Sequence, residues 1–302
     1  LEKWHKAISS LQNAISIQPN ATAEYRKLGR PVAKKAIRFF DQQRSDHSSK
    51  LFRYRAMAYQ FLDDHENAVR ECTTGLKKTP DDVRLLIQRG QSYAQLGDHA
   101  LAEIDLSRCL DLQPDNHLAH YYRSQSLAAV EDFARAMYEA KRAIQLADDQ
   151  PKYFTLLSEL KLKCGFSKKA TRALDRAILL DPTNAESYRK RAEIYAATGK
   201  IRRAIRDFTH ALELAPDAIE TLIQRGQAQL EYGQTELALA DFEKSLLLSP
   251  IHPQAYIGRA KILLSQGRSS YVALWLTKAI HRFEEPDELA QILLVRGKAL
   301  EQ

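Results

Sequence analysis

The residues best placed to do chemistry in this 302-residue chain form a spaced series of arginines and acids. Arg55, Arg89, Arg123, Arg191, Arg225 and Arg259 lie on one 34-residue grid, interrupted only at Leu157. Sixteen residues further on stand Glu71, Asp105, Glu139, Asp207 and Asp241, with Trp275 following Arg259 and Ala173 following Leu157. Two chemistries fit. A ladder of free guanidinium groups would bind anions; a ladder of Arg–acid pairs would tie two helices together. The joint loss of both charges at Leu157 and Ala173 favours pairing, because a buried charge without its partner costs about 3–5 kcal/mol. The expected structural pairs are Arg55–Glu71, Arg89–Asp105, Arg123–Glu139, Arg191–Asp207 and Arg225–Asp241. Arg259 has an aromatic counterpart, so a cation–π contact and a free guanidinium both stay open.

Other reactive residues form no constellation. His117 and His120 lie one helical turn apart and could share a face, but a metal site needs further ligands and none is arranged nearby. Cys72, Cys109 and Cys164 are odd in number, widely spaced and without a C-x-x-C pair. They read as small packing residues, and they mildly favour a reducing compartment such as the cytoplasm. No G-x-S-x-G, phosphate loop or H-E-x-x-H is present. The expectation is a non-enzyme with no catalytic residue, no metal and no cofactor.

The elements that must position the ladder show the same period. Pro80, Pro114, Pro182, Pro216 and Pro250 share one phase, with Asp148 at the missing member. Gly97, Gly165, Gly199, Gly233 and Gly267 share a second, with Glu131 in place of glycine. Ala68, Ala102, Ala136, Ala170, Ala204 and Ala238 share a third, continued by Val272. Three phases at one spacing indicate a helical repeat. Within one period, Tyr188, Ala192 and Tyr195 mark one helix face, and Ala204, Ile205, Phe208, Ala211 and Leu212 mark a second. Gly199 suits the left-handed residue after the first helix, and Pro216 cannot continue the second.

This pattern resembles the tetratricopeptide repeat (TPR): a small residue at repeat position 8, Gly at 15, Ala at 20, a large residue at 24, Ala at 27 and Pro at 32. A pentatricopeptide unit would run at 35 and lack the closing Pro; the T-P-L-H start of ankyrin units is absent; a coiled coil would not tolerate the Gly and Pro. The resemblance implies an all-α fold, a right-handed superhelical α-solenoid of antiparallel helix pairs. Seven repeats fit residues 49–286: 49–82, 83–116, 117–150, 151–184, 185–218, 219–252 and 253–286. Residues 1–20 read as a partial repeat with its second helix only, and 21–48 as a degenerate, shortened one broken at Gly29-Arg30-Pro31. Residues 287–302 read as a partial repeat or capping helix, after a short insertion near Glu284–Pro286. The chain is thus expected to start and stop within repeats of one longer array.

The resemblance also implies a concave groove lined by the first helices at repeat positions 2, 5, 6, 9, 12 and 13. On this chain those positions hold Arg53, Tyr54, Arg84, Gln88, Gln91, Tyr121, Tyr122, Gln125, Lys152, Arg189 and Lys190, with Met57 beside them and a milder late stretch that includes Gln224, Gln227, Ile257 and Lys261. Aromatic faces and amides suit an extended peptide, and the cations favour acidic side chains or a free carboxylate. The two-carboxylate clamp that some TPR proteins use on chaperone tails is not matched: the nearest triplet is Arg53 and Met57, then Gln88, then Leu118 and Tyr122. An asparagine ladder is also missing.

Charge separates the possible partners. Net charge is +7, but residues 1–50 carry ten Lys/Arg against four acids and the remaining 252 residues carry 35 against 34. A near-neutral array argues against nucleic acid as the general partner. The excess forms a basic patch at Arg26, Lys27, Arg30, Lys34, Lys35 and Arg38. No apolar run is long enough to span a bilayer. The leading expectation is a scaffold binding a peptide segment or partner helix of acidic character, as an adaptor or co-chaperone-like module of a larger protein or complex. The alternatives are a polyanion binder acting through the basic patch, and a regulatory or targeting region of a larger enzyme.

Overall fold

The computed structural model describes residues 3–4, 6–7, 9–10, 22–42, 48–283 and 285–301, with the side chains of the first helix described from residue 27 onward. Most of the second helix expected at 4–20 lies outside the described residues, as does the side chain of Arg26. Among the described residues every regular element is helical. They form two compact bodies, Leu1–Asn184 and Ala185–Gln302. The division falls on the boundary between the fourth and fifth 34-residue repeats.

The N-terminal body holds α1 (Thr22–Gln42), α2 (Ser49–Phe61), α3 (His65–Lys78), α4 (Val83–Gln95), α5 (His99–Leu112), α6 (His117–Ala129), α7 (Phe133–Leu146), α8 (Pro151–Lys163) and α9 (Ser167–Leu180). The C-terminal body holds α10 (Ala185–Ala197), α11 (Ile201–Leu214), α12 (Ile219–Glu231), α13 (Thr235–Leu248), α14 (Pro253–Ser265), α15 (Ser269–Ala279), a 3₁₀ turn at Ile280–Arg282 and α16 (Pro286–Glu301). In each body the two helices of a repeat pack together, and the second helix packs on the first helix of the next repeat. Consecutive first helices also touch: α2, α4, α6 and α8 in one body, α10, α12, α14 and α16 in the other.

Small residues set these close approaches. Ala68, Ala102, Ala136, Ala170, Ala204, Ala238 and Val272 all have no exposed surface, so neighbouring backbones can come together. Leu106, Phe208 and Phe242 fill the space four residues on. Burying each such large side chain contributes about 1.5–3 kcal/mol. Asp64, Asp82, Asn116 and Asp132 cap α3, α4, α6 and α7 by accepting backbone N–H groups of the first turn.

The turn between the two helices of a repeat needs a left-handed residue. Gly97, Gly165, Gly199, Gly233 and Gly267 supply it at φ 72–86°. Asp63 and Glu131 occupy the same grid positions and adopt φ 61° and 62° without being glycine. Packing of the flanking helices therefore dictates the turn, and these two side chains accept a cost of about 1–2 kcal/mol each.

One sequence expectation is corrected. Gly29-Arg30-Pro31 does not break the first segment: α1 runs through it for 21 residues. Pro31 removes the bond that would have reached the Lys27 carbonyl. Ala33, Ala36 and Phe40 beyond it are fully buried, and that anchorage outweighs one lost hydrogen bond.

Candidate functional site

The arginine ladder is paired. Arg89 holds Asp105 through Nε and a terminal nitrogen, both at 2.7 Å; Arg225 holds Asp241 in the same fork at 2.7 and 2.7 Å. Arg191 grips Asp207 at 2.6 and 3.0 Å. Arg123 reaches Glu139 at 3.2 Å, and Arg55 reaches Glu71 at 3.3 Å and Asp41 at 2.7 Å. Asp105, Glu139, Asp207 and Asp241 are buried. Glu71 is less covered, and there burial raises the carboxyl above its usual range against the opposing pull of Arg55. Arg259 sits 4.5 Å over the Trp275 ring and also meets Glu243 at 3.1 Å. These guanidinium groups hold the frame and are not offered to a ligand.

His117 and His120 do not converge. His117 Nδ1 lies 2.7 Å from the Tyr153 hydroxyl. His120 is buried between Glu139, 2.5 Å from Nδ1, and the Pro114 carbonyl, 3.0 Å from Nε2. Among the described residues no three His, Cys, Asp or Glu side chains could hold a metal ion. The cysteines are free thiols, and burial pushes Cys109 up to about 11 and Cys72 higher still.

A cavity of about 440 Å³ opens where α2, α4 and α6 lie side by side. Helical spacing turns Arg53, Tyr54 and Met57 of α2 toward it, with Arg84, Ile87, Gln88 and Gln91 of α4 and Leu118 and Tyr122 of α6. Tyr54, Met57 and Ile87 are buried and make the floor. Arg53 lies 5.2 Å over the Tyr54 ring. Among the described residues neither Arg53 nor Arg84 has a carboxylate partner. Gln88 Oε1 is buried with no hydrogen-bond partner. The cavity thus offers two unneutralised cations, one unsatisfied acceptor and an apolar floor.

Seven groove residues expected from sequence, Arg53, Tyr54, Met57, Arg84, Gln88, Gln91 and Tyr122, come together here. Ile87 was missed, although it stands at the same repeat position as Arg53. Tyr121, Gln125 and Lys152 are not in this cavity. Gln125 donates to the Tyr121 hydroxyl at 3.0 Å, and Lys152 lies 5.2 Å over the Tyr121 ring. Tyr121 in turn meets the Tyr153 ring at a tilt, with ring centres 4.9 Å apart. Burial pushes the Tyr121 phenol above its usual range.

Arg189 and Lys190 belong to the C-terminal body, and acids of their own helix hold them. Arg189 Nε donates to Glu186 at 2.7 Å, and another of its nitrogens pairs with Glu193. Lys190 lies 3.4 Å from Glu186. Burial alone would raise the Glu186 carboxyl, but the hydrogen bond and charge of Arg189, with Lys190, hold it below the usual range. The signal was readable, since Glu186 and Glu193 stand three residues before and four after Arg189. This body has a pocket of about 460 Å³ between α12, α13, α14 and α16, lined by Gln227, Glu231, Phe242, Gly258, Lys261 and Gln291 among others.

On α1, Lys27, Arg30, Lys34, Lys35 and Arg38 are all exposed. Arg30 approaches Asp63 at 4.0 Å. No helix among the described residues is long and apolar enough to cross a membrane.

Comparison with known proteins agrees with this architecture. Sequence models of the tetratricopeptide repeat match residues 83–116, 167–221 and 223–270. No curated protein matches the chain in sequence. Among solved structures, yeast Tom70 is 18% identical, with 95% of this chain and 64% of that chain covered and a TM-score of 0.63. The APC/C hetero-tetramer Cut9–Hcn1 is 15% identical, with 86% and 52% covered and a TM-score of 0.65. YrrB, described as a TPR protein with an unusual peptide-binding site, is 19% identical, with 61% and 95% covered and a TM-score of 0.51. At these identities the likeness is one of fold.

Proposed function

Because the chain belongs to the tetratricopeptide repeat family, whose usual work is protein–protein interaction, we propose that it is a non-catalytic scaffold that holds an extended, acidic peptide segment in the α2–α4–α6 cavity. One observation carries this reading: Arg53 and Arg84 stand unneutralised beside the orphaned Oε1 of Gln88, over an apolar floor. A peptide carboxylate would meet the cations, a peptide N–H would satisfy Gln88, and an apolar side chain would settle between Met57, Ile87, Leu118 and Tyr122. A preformed cavity lowers the ordering cost of binding. The peptide-binding site named for YrrB supports the class of ligand. An adaptor role in a larger assembly follows from the same reading.

The test is fluorescence anisotropy with peptides that pair Asp or Glu with Leu or Phe, each with a free or an amidated C-terminus. Arg53→Glu with Arg84→Glu is expected to weaken binding about thirty-fold or more, near 2 kcal/mol. Equal affinity for a neutral peptide would reject the reading. Loss on amidation would shift it from an acidic side chain to a chain terminus.

The basic stripe on α1 supports a second reading, contact with a polyanion. It predicts affinity that falls steeply with salt and with neutralisation of Lys34, Lys35 and Arg38. Unchanged affinity after that neutralisation would reject it.

A further inference from the structure

The arginine ladder has one gap, and cations gather around it. At Leu157 and Ala173 both members of the Arg–acid pair are absent. A second supporting acid is absent there too. Glu103 pairs with Arg135 and lies 3.4 Å from Arg123, but the same position 34 residues on is Met137. Met137 packs on the core that holds Leu157. Three lysines border this apolar floor. Lys141 of α7 stands where Thr73 and Thr209 accept hydrogen bonds from Arg89 and Arg225 at 3.2 Å. Lys161 of α8 stands one turn beyond Leu157, at the position of Tyr195, whose ring lies 5.9 Å from Arg191. Lys169 of α9 stands at the position of Arg203, which lies 5.8 Å over that same ring. Helix register therefore brings the three lysines to one shelf.

Their charges are not neutralised. Among the described residues none of the three pairs with a carboxylate. Lys169 Nζ lies 4.8 Å over the Phe166 ring. Lys141 and Lys169 are exposed, and Lys161 is half-buried. Burial lowers the Lys161 amine below its usual range, and repulsion from Lys141 and Lys169 lowers it further. Packing alone does not call for this arrangement. The position of Lys161 holds Tyr59, Tyr93, Leu127, Tyr195 or Leu263 elsewhere on the grid. Like charges brought together in a partly buried place cost stability unless an anion joins them.

We propose that Lys141, Lys161 and Lys169 bind a phosphoryl group on the shelf formed by α7, α8 and α9. A phosphoryl group carries close to two charges and three strong acceptor oxygens, one for each ammonium. A carboxylate carries one charge and two coplanar oxygens, which a guanidinium fork meets better than separate point charges do. The grid position that supplies such a fork elsewhere is Leu157 here. This site shares no residue with the peptide cavity or with the basic stripe of α1.

The probes are pyrophosphate and a glycine–alanine peptide bearing one phosphoserine, each titrated by calorimetry against the full chain at fixed ionic strength. Saturable binding of at least one is expected, and none of the unphosphorylated peptide. Tighter binding of pyrophosphate makes the ligand a free phosphoryl anion; tighter binding of the peptide makes it a modified side chain of a partner. Lys161→Met should weaken binding about ten-fold or more, and Lys161→Arg should restore most of it. Lys141→Gln and Lys169→Gln, at exposed positions, should each weaken it as well and keep the test valid if Lys161→Met disturbs the core. Replacing Lys34, Lys35 and Arg38 of α1 by Gln should leave binding unchanged. No saturable binding of either phosphorylated probe overturns the proposal. So does binding that survives loss of the three lysines, or that the α1 replacements abolish.

Discussion

The two bodies present their first helices in opposite ways. In the N-terminal body, Arg53 and Arg84 reach a cavity with no carboxylate partner, and Gln88 keeps a bare acceptor. In the C-terminal body, Arg189 and Lys190 are held by Glu186 and Glu193, and the pocket mixes glutamines with one acid and one lysine. The frames behind them are alike: Arg89–Asp105 and Arg225–Asp241 have the same fork and the same distances. One repeat can therefore carry different recognition chemistry without altering its supports. The charge of a groove depends on which cations are already spent.

The largest expected effect tests whether the frames are equivalent. Arg89→Leu and Arg225→Leu each leave a buried aspartate unpaired and should cost about 3 kcal/mol in urea unfolding. Unequal losses would move the difference between the bodies from groove to frame. Arg89→Leu with Asp105→Ala should cost less than Arg89→Leu alone, because the orphaned acid is then removed.

A smaller effect concerns the repeat position that holds Gln88 in one body and Gly258 in the other. A Cβ on Gly258 would fall 2.4 Å from the Phe242 ring. Gly258→Gln should lower stability by about 1–3 kcal/mol by forcing that ring to move. Gln88→Gly should cost no more than about 1 kcal/mol of helix propensity. Melting curves of the two variants check the contrast.

The turns give a third comparison. The C-terminal body uses glycine at all three left-handed positions, whereas the N-terminal body has Asp63 and Glu131 at two of its four. Glu131→Gly should stabilise by about 1 kcal/mol through relief of the left-handed conformation. No rise in the melting temperature would show that Glu131 is unstrained.

The smallest effect is the Glu186 cluster. Its side chains are about a third exposed or less, so solvent screening limits Glu186→Gln to under about 1 kcal/mol. The Glu186 carboxyl is held below its usual range. The contribution is therefore present above about pH 4.3, the unfolded carboxyl value, and is lost as pH falls through the lower folded value. The melting difference between native chain and variant should be constant from neutral pH down to about pH 5 and shrink below pH 4. A difference that grew on acidification would contradict the assignment.

Much of this was legible in the sequence because repetition is a local signal. The proline, glycine and alanine phases located the helix ends and the close contacts, and the shared loss at Leu157 and Ala173 pointed to pairing. The left-handed turns at Asp63 and Glu131 were not legible, because neighbouring helices impose a conformation that these residue types do not prefer. Nor was the passage of α1 through Pro31, where burial of Ala33, Ala36 and Phe40 overrides a local breaker.

Sequence by itself determined that the chain is built of paired helices, where each pair begins and ends, and which arginines face which acids. Only the tertiary structure decided that Arg53 and Arg84 share a cavity while Tyr121, Gln125 and Lys152 satisfy one another. Only there did the division after Asn184 become visible. Spacing fixes which face of a helix a side chain occupies; whether that side chain is free depends on what the neighbouring helices bring to it.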